Sequence, residues 1–178
     1  MKLIILAGMP GSGKEEFLVA ARETNWPFIR MGDVVRDEYE KKSISSTGKN
    51  IGQFAQSERE ERGNHIWANR AISHFDGKSH IIDGCRGMEE IESFRSHSTE
   101  LLTIAVHTSP KVRYERLCRR GRSDAPQDWS EFQARDKREI SWGLAEVIAQ
   151  ADYMLVNDTD LQSYHHEVKS LMRRLLNP

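Results

Sequence analysis

Short apolar runs alternate with longer segments whose apolar residues recur every three or four positions along this 178-residue chain. The first pattern predicts buried β-strands, and the second predicts helices that pack on them. Strands that alternate with helices form parallel sheets covered on both faces. An α/β protein is therefore predicted. The predicted strands are residues 3–7, 26–31, 79–83, 101–107 and 152–156, and the main predicted helices after the first are residues 34–42, 51–62, 65–75, 129–150 and 160–176.

Length and composition set the first limits on function. The chain suits a single domain spanning residues 1–178. Its net charge of −1 gives no general attraction to nucleic acid or to an anionic membrane, so neither is expected as a partner. The apolar runs are too short for a signal or membrane helix, so a soluble, cytoplasmic protein is expected. Cys85 and Cys118 lack zinc-site spacing, and the sequence specifies no oligomeric state.

A glycine-rich turn follows the first predicted strand. Gly8, Gly13 and Lys14 match the G-x-x-x-x-G-K core of a phosphate-binding loop, and Gly11 and Ser12 lie inside it. Glycines allow backbone N–H groups to surround phosphate oxygens, while the lysine brings positive charge to the outer phosphates. The following helix points its positive dipole end at the same place. The sequence therefore predicts a nucleoside triphosphate site, with Lys14 as a catalytic residue.

The residue after this lysine departs from the motif. Glu15 stands where a hydroxyl normally binds Mg²⁺. A carboxylate is a good Mg²⁺ ligand, although it also repels a triphosphate. Alternatively, the helix dipole alone favours an acidic residue in the first turn. Both interpretations of Glu15 stay open, and Asp83 is the second candidate metal ligand, holding Mg²⁺ through water.

Polar residues follow the second and third predicted strands. Gly32, Asp33 and Arg36 come after the second, and Asp83 and Arg86 after the third. Ligands of parallel α/β sheets bind outside the carboxyl ends of strands, so these residues are predicted to bind substrate. Asp33 alternatively caps a helix. Asp83 and Arg86 alternatively form a structural ion pair with each other.

Three arginines in the last third of the chain are further catalytic candidates. Arg122 lies in a turn-rich segment, and Arg135 and Arg138 lie on one face of the following predicted helix. Such a triplet can close over a polyphosphate and stabilise the charge that develops during phosphoryl transfer. The charged run at residues 57–62 is most simply interpreted as a solvated helix face.

Together these motifs resemble P-loop nucleoside-phosphate kinases. Residues 31–36 (MGDVVR) resemble the TGD-x-x-R segment of adenylate kinases, residues 83–86 (DGCR) resemble their DGFPR segment, and GRSD resembles their short lid. Residues 151–158 (ADYMLVND) are similar to dephospho-CoA kinases. Over nearly its whole length the chain resembles uncharacterised archaeal proteins related to adenylate and cytidylate kinases, which share GMPGSGKEE, GDVVR, IDG-x-R and the GRSD lid.

The resemblance implies a three-layer αβα P-loop kinase fold with strand order 2-3-1-4-5 and with ATP and Mg²⁺ as cofactors. It also implies a small helical insert for the acceptor at about residues 43–75 and a lid at about residues 120–130. In this comparison Arg36 and Arg86 grip the monophosphate of the acceptor, and Asn157 precedes a loop beside the adenine. Met31 and Cys85 depart from the adenylate kinase motifs.

Three functions follow as hypotheses. The leading one is transfer of the γ-phosphoryl group of ATP to a nucleoside monophosphate or related nucleotide. The second is a dephospho-CoA-type kinase, in which Asp33 accepts the proton of the attacked hydroxyl. The third is a nucleotide-binding module or switch with little turnover, which Glu15 and the N-x-x-D spacing from Asn157 to Asp160 favour.

Overall fold

A computed structural model describes residues 1–42, 50–121 and 125–176. In these ranges five strands form one parallel sheet in the order β2-β3-β1-β4-β5, which confirms the predicted α/β class and strand order. Residues 43–49, at the start of the predicted insert, and residues 122–124, in the predicted lid, lie outside the described ranges. The strands are β1 (Lys2–Ala7), β2 (Phe28–Arg30), β3 (His80–Asp83), β4 (Glu100–His107) and β5 (Tyr153–Val156).

Helices connect and cover the strands. They are α1 (Lys14–Ala21), α2 (Met31–Lys41), α3 (Ile51–Arg62), α4 (Ile66–Ile72), α5 (Met88–Arg95), α6 (Pro110–Arg120), α7 (Trp129–Ser141), α8 (Leu144–Ala149) and α9 (Leu161–Leu176), with a 3₁₀ turn at Arg22–Thr24.

The main differences from the sequence prediction concern the helices. Helix α2 begins at Met31, so Gly32 and Asp33 lie in its first turn rather than before it. The predicted helix 129–150 is two helices, because Gly143 adopts a φ of +100° that only glycine accepts readily and that ends the helical path. Helix α5 was not predicted.

The central strand β1 is buried on both faces. Leu3 and Ile5 point into a core built with residues of α2, α3, α4, α5 and α8. Ile4 and Leu6 point to the opposite core, built with residues of α1 and α9. This alternation follows from the two-residue period of a strand. Because the sheet is covered on both sides, a ligand reaches it at the carboxyl edge of the strands.

The charged run in α3 is solvated at Glu60, Glu61 and Arg62, but that interpretation is wrong for two of its residues. Glu58 and Arg59 are each only 6% exposed. Lys42 Nζ donates to Glu58 at 2.7 Å and Arg70 also donates to it, while Arg59 pairs with Glu90 at 3.4 Å. Burial acts to raise the pKa of Glu58, but these hydrogen bonds outweigh it and the pKa is lowered. The insert therefore packs on the domain through paired charges.

No helix within the described ranges is both long and apolar enough to span a membrane.

Candidate functional site

A cleft of about 530 Å³ lies at the carboxyl edge of the sheet. It brings together the phosphate loop, the segments after β2, β3 and β5, and residues of α6 and α7. Sequence positions far apart therefore share one site. The residues predicted from sequence that line it are Gly8, Gly11, Gly13, Lys14, Glu15, Gly32, Arg36, Asp83, Arg86, Arg135 and Asn157.

The phosphate loop requires glycine at its turns for reasons of space as well as conformation. Gly11 and Gly13 have φ values of +81° and +108°, which side chains disfavour. A Cβ on Gly13 would lie 2.0 Å from the side-chain nitrogen Nδ2 of Asn157, and one on Gly11 would lie 2.8 Å from the backbone carbonyl oxygen of Arg113. The loop is therefore packed tightly against α6 and the segment after β5.

Asn157 holds the back of this loop. Its Nδ2 donates to the Ser12 carbonyl oxygen at 2.9 Å, and Arg116 donates to its Oδ1 at 3.4 Å. Thr108 Oγ1 donates to the same Ser12 carbonyl at 3.0 Å. The Ser12 side chain is itself buried. Asn157 thus shapes the nucleotide loop through its backbone, a contact that the sequence similarity alone did not indicate.

Lys14 is the charged centre of the cleft. Its Nζ donates to the carbonyl oxygen of Gly8 at 2.5 Å and to that of Met9 at 3.4 Å. Burial lowers the pKa of Lys14, and the negative charges of Asp83 and Glu139 act against that shift. The ammonium group is therefore held between the loop and two carboxylates.

Asp83 ends β3 beside this ammonium group. Burial raises the pKa of Asp83, and the charge of Lys14 opposes the rise. Its Oδ1 is buried and has no hydrogen-bond partner among the described residues. Buried carboxylate oxygens are normally paired, so this atom is suited to a ligand or to a metal-bound water.

Arg86 pairs with a residue that the sequence did not single out. Its Nε donates to Glu139 Oε2 of α7 at 2.7 Å, and its backbone N–H donates to Glu90 at 2.7 Å. Burial acts to lower the pKa of Arg86, but Glu139 outweighs it and the pKa is raised. Arg86 pairs with Glu139, so the alternative pairing with Asp83 is not the one observed.

Asp33 and Arg36 form an ion pair within the first turns of α2. Both side chains are 53% exposed. Arg36 lines the cleft, whereas Asp33 is not among the lining residues. Arg30, rather than Asp33, occupies the position before the helix.

The predicted arginine triplet contributes one described residue to the cleft. Arg135 lines it. Arg138 lies over the ring of Trp142, 5.7 Å from the ring centroid, and is not among the lining residues. Arg122 lies outside the described residues.

Sequence comparison identifies relatives along the whole chain. A family model described as an AAA domain matches residues 4–140. A UPF0200 protein of Hyperthermus butylicus is 41% identical, covering 97% of this chain and 94% of the relative. A UPF0200 protein of Pyrococcus abyssi is 39% identical, covering 98% of this chain and 97% of the relative. The chain belongs to the UPF0200 family. This confirms the similarity to archaeal P-loop proteins.

Solved structures place this UPF0200 family member among P-loop kinase folds. A shikimate kinase from Bacteroides thetaiotaomicron superimposes with a TM-score of 0.65 at 18% identity, covering 99% of this chain and 98% of that one. A gluconokinase from Sinorhizobium meliloti gives a TM-score of 0.59 at 16% identity, covering 98% of this chain and 93% of that one. At these identities the similarity shows the fold.

Among the charged residues of the cleft that sequence reasoning missed in this family member are Glu139 and Arg30. Glu139 follows Arg135 by one helical turn, and that spacing puts both on one face of α7. Arg30 ends β2, and residues at the carboxyl ends of strands are those expected to bind ligand. Its Nη2 donates to Glu15 at 2.6 Å. Both had a positional signal in the sequence.

Arg113 had no such signal. It is 4% exposed on α6, and its guanidinium binds both carboxylate oxygens of Asp136 on α7, at 2.9 and 2.5 Å. Its Nη1 also donates to the carbonyl oxygen of Pro10 in the phosphate loop at 3.2 Å. One buried arginine therefore joins the phosphate loop to the helix that carries Arg135 and Glu139.

Residues that suit a triphosphate and a metal line the same cleft. The loop glycines and Lys14 suit phosphate oxygens, and Asp83 and Glu15 offer hard oxygen ligands for Mg²⁺. No group of three or more His, Cys, Asp or Glu side chains in the described ranges suits a metal ion by itself. Mg²⁺ bound here would complete its coordination with phosphate oxygens and water, as it usually does in proteins.

Proposed function

We propose that this protein transfers the γ-phosphoryl group of ATP to a nucleoside monophosphate or a related nucleotide. The supporting observation is that Lys14 and its phosphate loop share one cleft with Arg36 and Arg86, which follow β2 and β3. Phosphoryl transfer needs little covalent chemistry from the protein. Positioning of two phosphate groups and positive charge between them supply most of the catalysis, and this cleft offers both.

Each part of the cleft has a proposed role. The loop residues Gly8, Gly11, Ser12 and Gly13 hold the donor phosphates, with Asn157 supporting them. Lys14 and Arg135 stabilise charge on the transferred group. Mg²⁺, held by Asp83 and Glu15, would neutralise phosphate charge when bound. Arg122 and Arg138 are proposed to join on lid closure, for which Arg138 must leave the ring of Trp142.

The acceptor is proposed to be anionic because of its surroundings. Arg36 and Arg86 both line the cleft, and guanidinium groups bind phosphate through two parallel hydrogen bonds. A hydroxyl acceptor would instead need a carboxylate base within reach. Asp33, the carboxylate predicted for that role, does not line the cleft, and it is paired with Arg36. This arrangement supports a monophosphate acceptor over a dephospho-CoA-type reaction with Asp33 as its base.

A coupled assay for ADP formation tests this function. The full chain is incubated with ATP, Mg²⁺ and, in turn, AMP, CMP, UMP, GMP and dephospho-CoA. We expect ADP formation that depends on one or more of the monophosphates. Turnover with dephospho-CoA alone would support the hydroxyl-acceptor reaction. ATP binding without turnover on any acceptor would contradict the kinase proposal and favour a nucleotide-binding switch.

Substitution of the arginines should separate acceptor binding from catalysis. We expect Arg36→Ala and Arg86→Ala to raise the acceptor KM at least about tenfold with a small effect on the ATP KM, since a charged hydrogen bond contributes about 1.5–3 kcal/mol. Arg135→Ala should instead lower kcat, because Arg135 lines the cleft and its proposed contact with the transferred group matters most in the transition state. Steady-state kinetics with each substrate varied measures both. One shared kinetic signature for all three variants would contradict this division.

A Mg²⁺ titration at fixed ATP tests the metal role of Glu15. We expect Glu15→Ala to shift the midpoint upward several-fold, because a hard oxygen ligand is lost. ATP binding without metal should stay equal or improve as repulsion is removed. Glu16→Ala, which alters the next carboxylate in the same helix turn, is the control. An unmoved midpoint in Glu15→Ala would assign Mg²⁺ to Asp83, water and the phosphates.

A further inference from the structure

The ion pair between Glu15 and Arg30 connects the two halves of the cleft. Glu15 lies in the first turn of α1, directly after the phosphate loop and on the donor side. Arg30 ends β2, on the acceptor side, and is paired in register with Asp83 of the neighbouring strand. The 2.6 Å contact between Arg30 Nη2 and Glu15 Oε1 therefore bridges donor and acceptor sides.

The guanidinium group of Arg30 is held in place by its neighbours, but one of its hydrogen-bond donors has no partner among the described residues. Its Cζ lies 5.3 Å from the centroid of the Phe28 ring, which orients the group from the strand side. Its Nε is buried and has no hydrogen-bond partner among the described residues. A buried donor without a partner is costly and calls for an explanation. A ligand that accepts from Nε supplies one.

Arg30 also lies with the other acceptor-side arginines. It lines the cleft together with Arg36 and Arg86. Each of the three is neutralised by a carboxylate: Arg30 by Glu15, Arg36 by Asp33 and Arg86 by Glu139. The Glu15 side chain is 43% exposed, and an ion pair with this exposure is weak enough for an incoming anion to replace.

We infer that Arg30 binds the phosphate group of the acceptor and that Glu15 is its internal counter-ion, which the acceptor phosphate displaces. This inference rests on the proposed kinase function and adds a third arginine to the acceptor site. A phosphate dianion offers more charge and more acceptor oxygens than a carboxylate, so it competes well for the arginine fork. Displacement also frees the Glu15 carboxylate from Arg30, so that it can serve as the proposed Mg²⁺ ligand on the donor side.

The chain offers a matched control for this inference. Glu16 is the neighbour of Glu15, has the same 43% side-chain exposure, and pairs with His165 of α9 instead of an acceptor-side arginine. Glu15→Gln and Glu16→Gln therefore change the net charge of the same helix turn equally. Only Glu15→Gln removes the carboxylate that is paired with Arg30.

Calorimetric titration with inorganic phosphate provides the test. The full chain is first saturated with a non-hydrolysable ATP analogue without Mg²⁺, so that the donor loop is filled, Glu15 holds no metal and phosphate reports the acceptor side. We expect Glu15→Gln to bind phosphate about fivefold or more tightly than the unaltered chain, and Glu16→Gln to match the unaltered chain within about twofold. Arg30→Gln should weaken binding about tenfold. The double variant Arg30→Gln with Glu15→Gln should behave as Arg30→Gln does.

Equal phosphate affinities of Glu15→Gln and Glu16→Gln would overturn the inference, because they would show a general charge effect. Unchanged affinity in Arg30→Gln, or no phosphate binding by the unaltered chain with its donor loop filled, would overturn it as well. Failure of the proposed function appears separately, as absent binding of the ATP analogue or absent ADP formation with every acceptor.

Discussion

Replacement of Lys14 by alanine is expected to abolish ATP turnover and to weaken ATP binding about 30- to 150-fold. Lys14 is the only side-chain cation between Gly8 and the start of α1, and it lies against the loop carbonyls. Loss of a contact with a charged phosphate costs about 2–3 kcal/mol, which corresponds to that change in affinity. Calorimetric titration with ATP and the ADP assay measure the two effects.

The fold should survive this substitution. Burial lowers the pKa of the partly buried Lys14 ammonium group, so its removal eliminates a desolvation cost together with its attraction to Asp83 and Glu139. Lys14→Met, which keeps the apolar stem, should lose activity to the same extent, and the thermal unfolding midpoint should stay near that of the unaltered chain. Unchanged ATP affinity and turnover in Lys14→Met would refute the assignment of the loop.

Arg113→Ala is expected to cause the largest loss of stability among the substitutions considered. It removes a buried arginine and leaves the carboxylate of Asp136 without its bidentate partner. Breaking a buried ion pair from one side costs about 3–5 kcal/mol. For a domain of this size, that loss lowers the unfolding midpoint by roughly 6–20 °C. Thermal or urea unfolding of the purified variant measures it.

Two further variants assign this loss to its cause. Arg119→Ala, an exposed arginine on the same helix, should change stability by no more than about 0.5 kcal/mol. Arg113→Met combined with Asp136→Leu removes both charges and should recover much of the stability. Its ATP binding should still be impaired, because the hydrogen bond to the Pro10 carbonyl is absent. Wild-type stability in Arg113→Ala would show that the pair contributes nothing.

Local sequence patterns were sufficient to predict the α/β class and the position of the candidate site. The apolar run from Leu3 to Ala7 and the glycines up to Gly13 are local signals, so strand, loop and helix could be predicted in order. The parallel topology then placed the residues after β2 and β3 at the same edge. The strand order itself came from the similarity to known kinases. The break at Gly143 was missed because helical periodicity continues across a single left-handed residue.

Only the tertiary structure decided how the charges of the site are paired. Arg113 with Asp136, Arg30 with Glu15 and Arg86 with Glu139 each join different helices and strands. The sequence offers 26 basic and 27 acidic residues, and nothing in its local pattern selects among their pairings. That choice depends on which side chains reach each other after the core has packed, and on the cost of leaving a buried charge unpaired. Sequence therefore determined where the cleft lies, and packing determined which of its charges are held and which can be displaced.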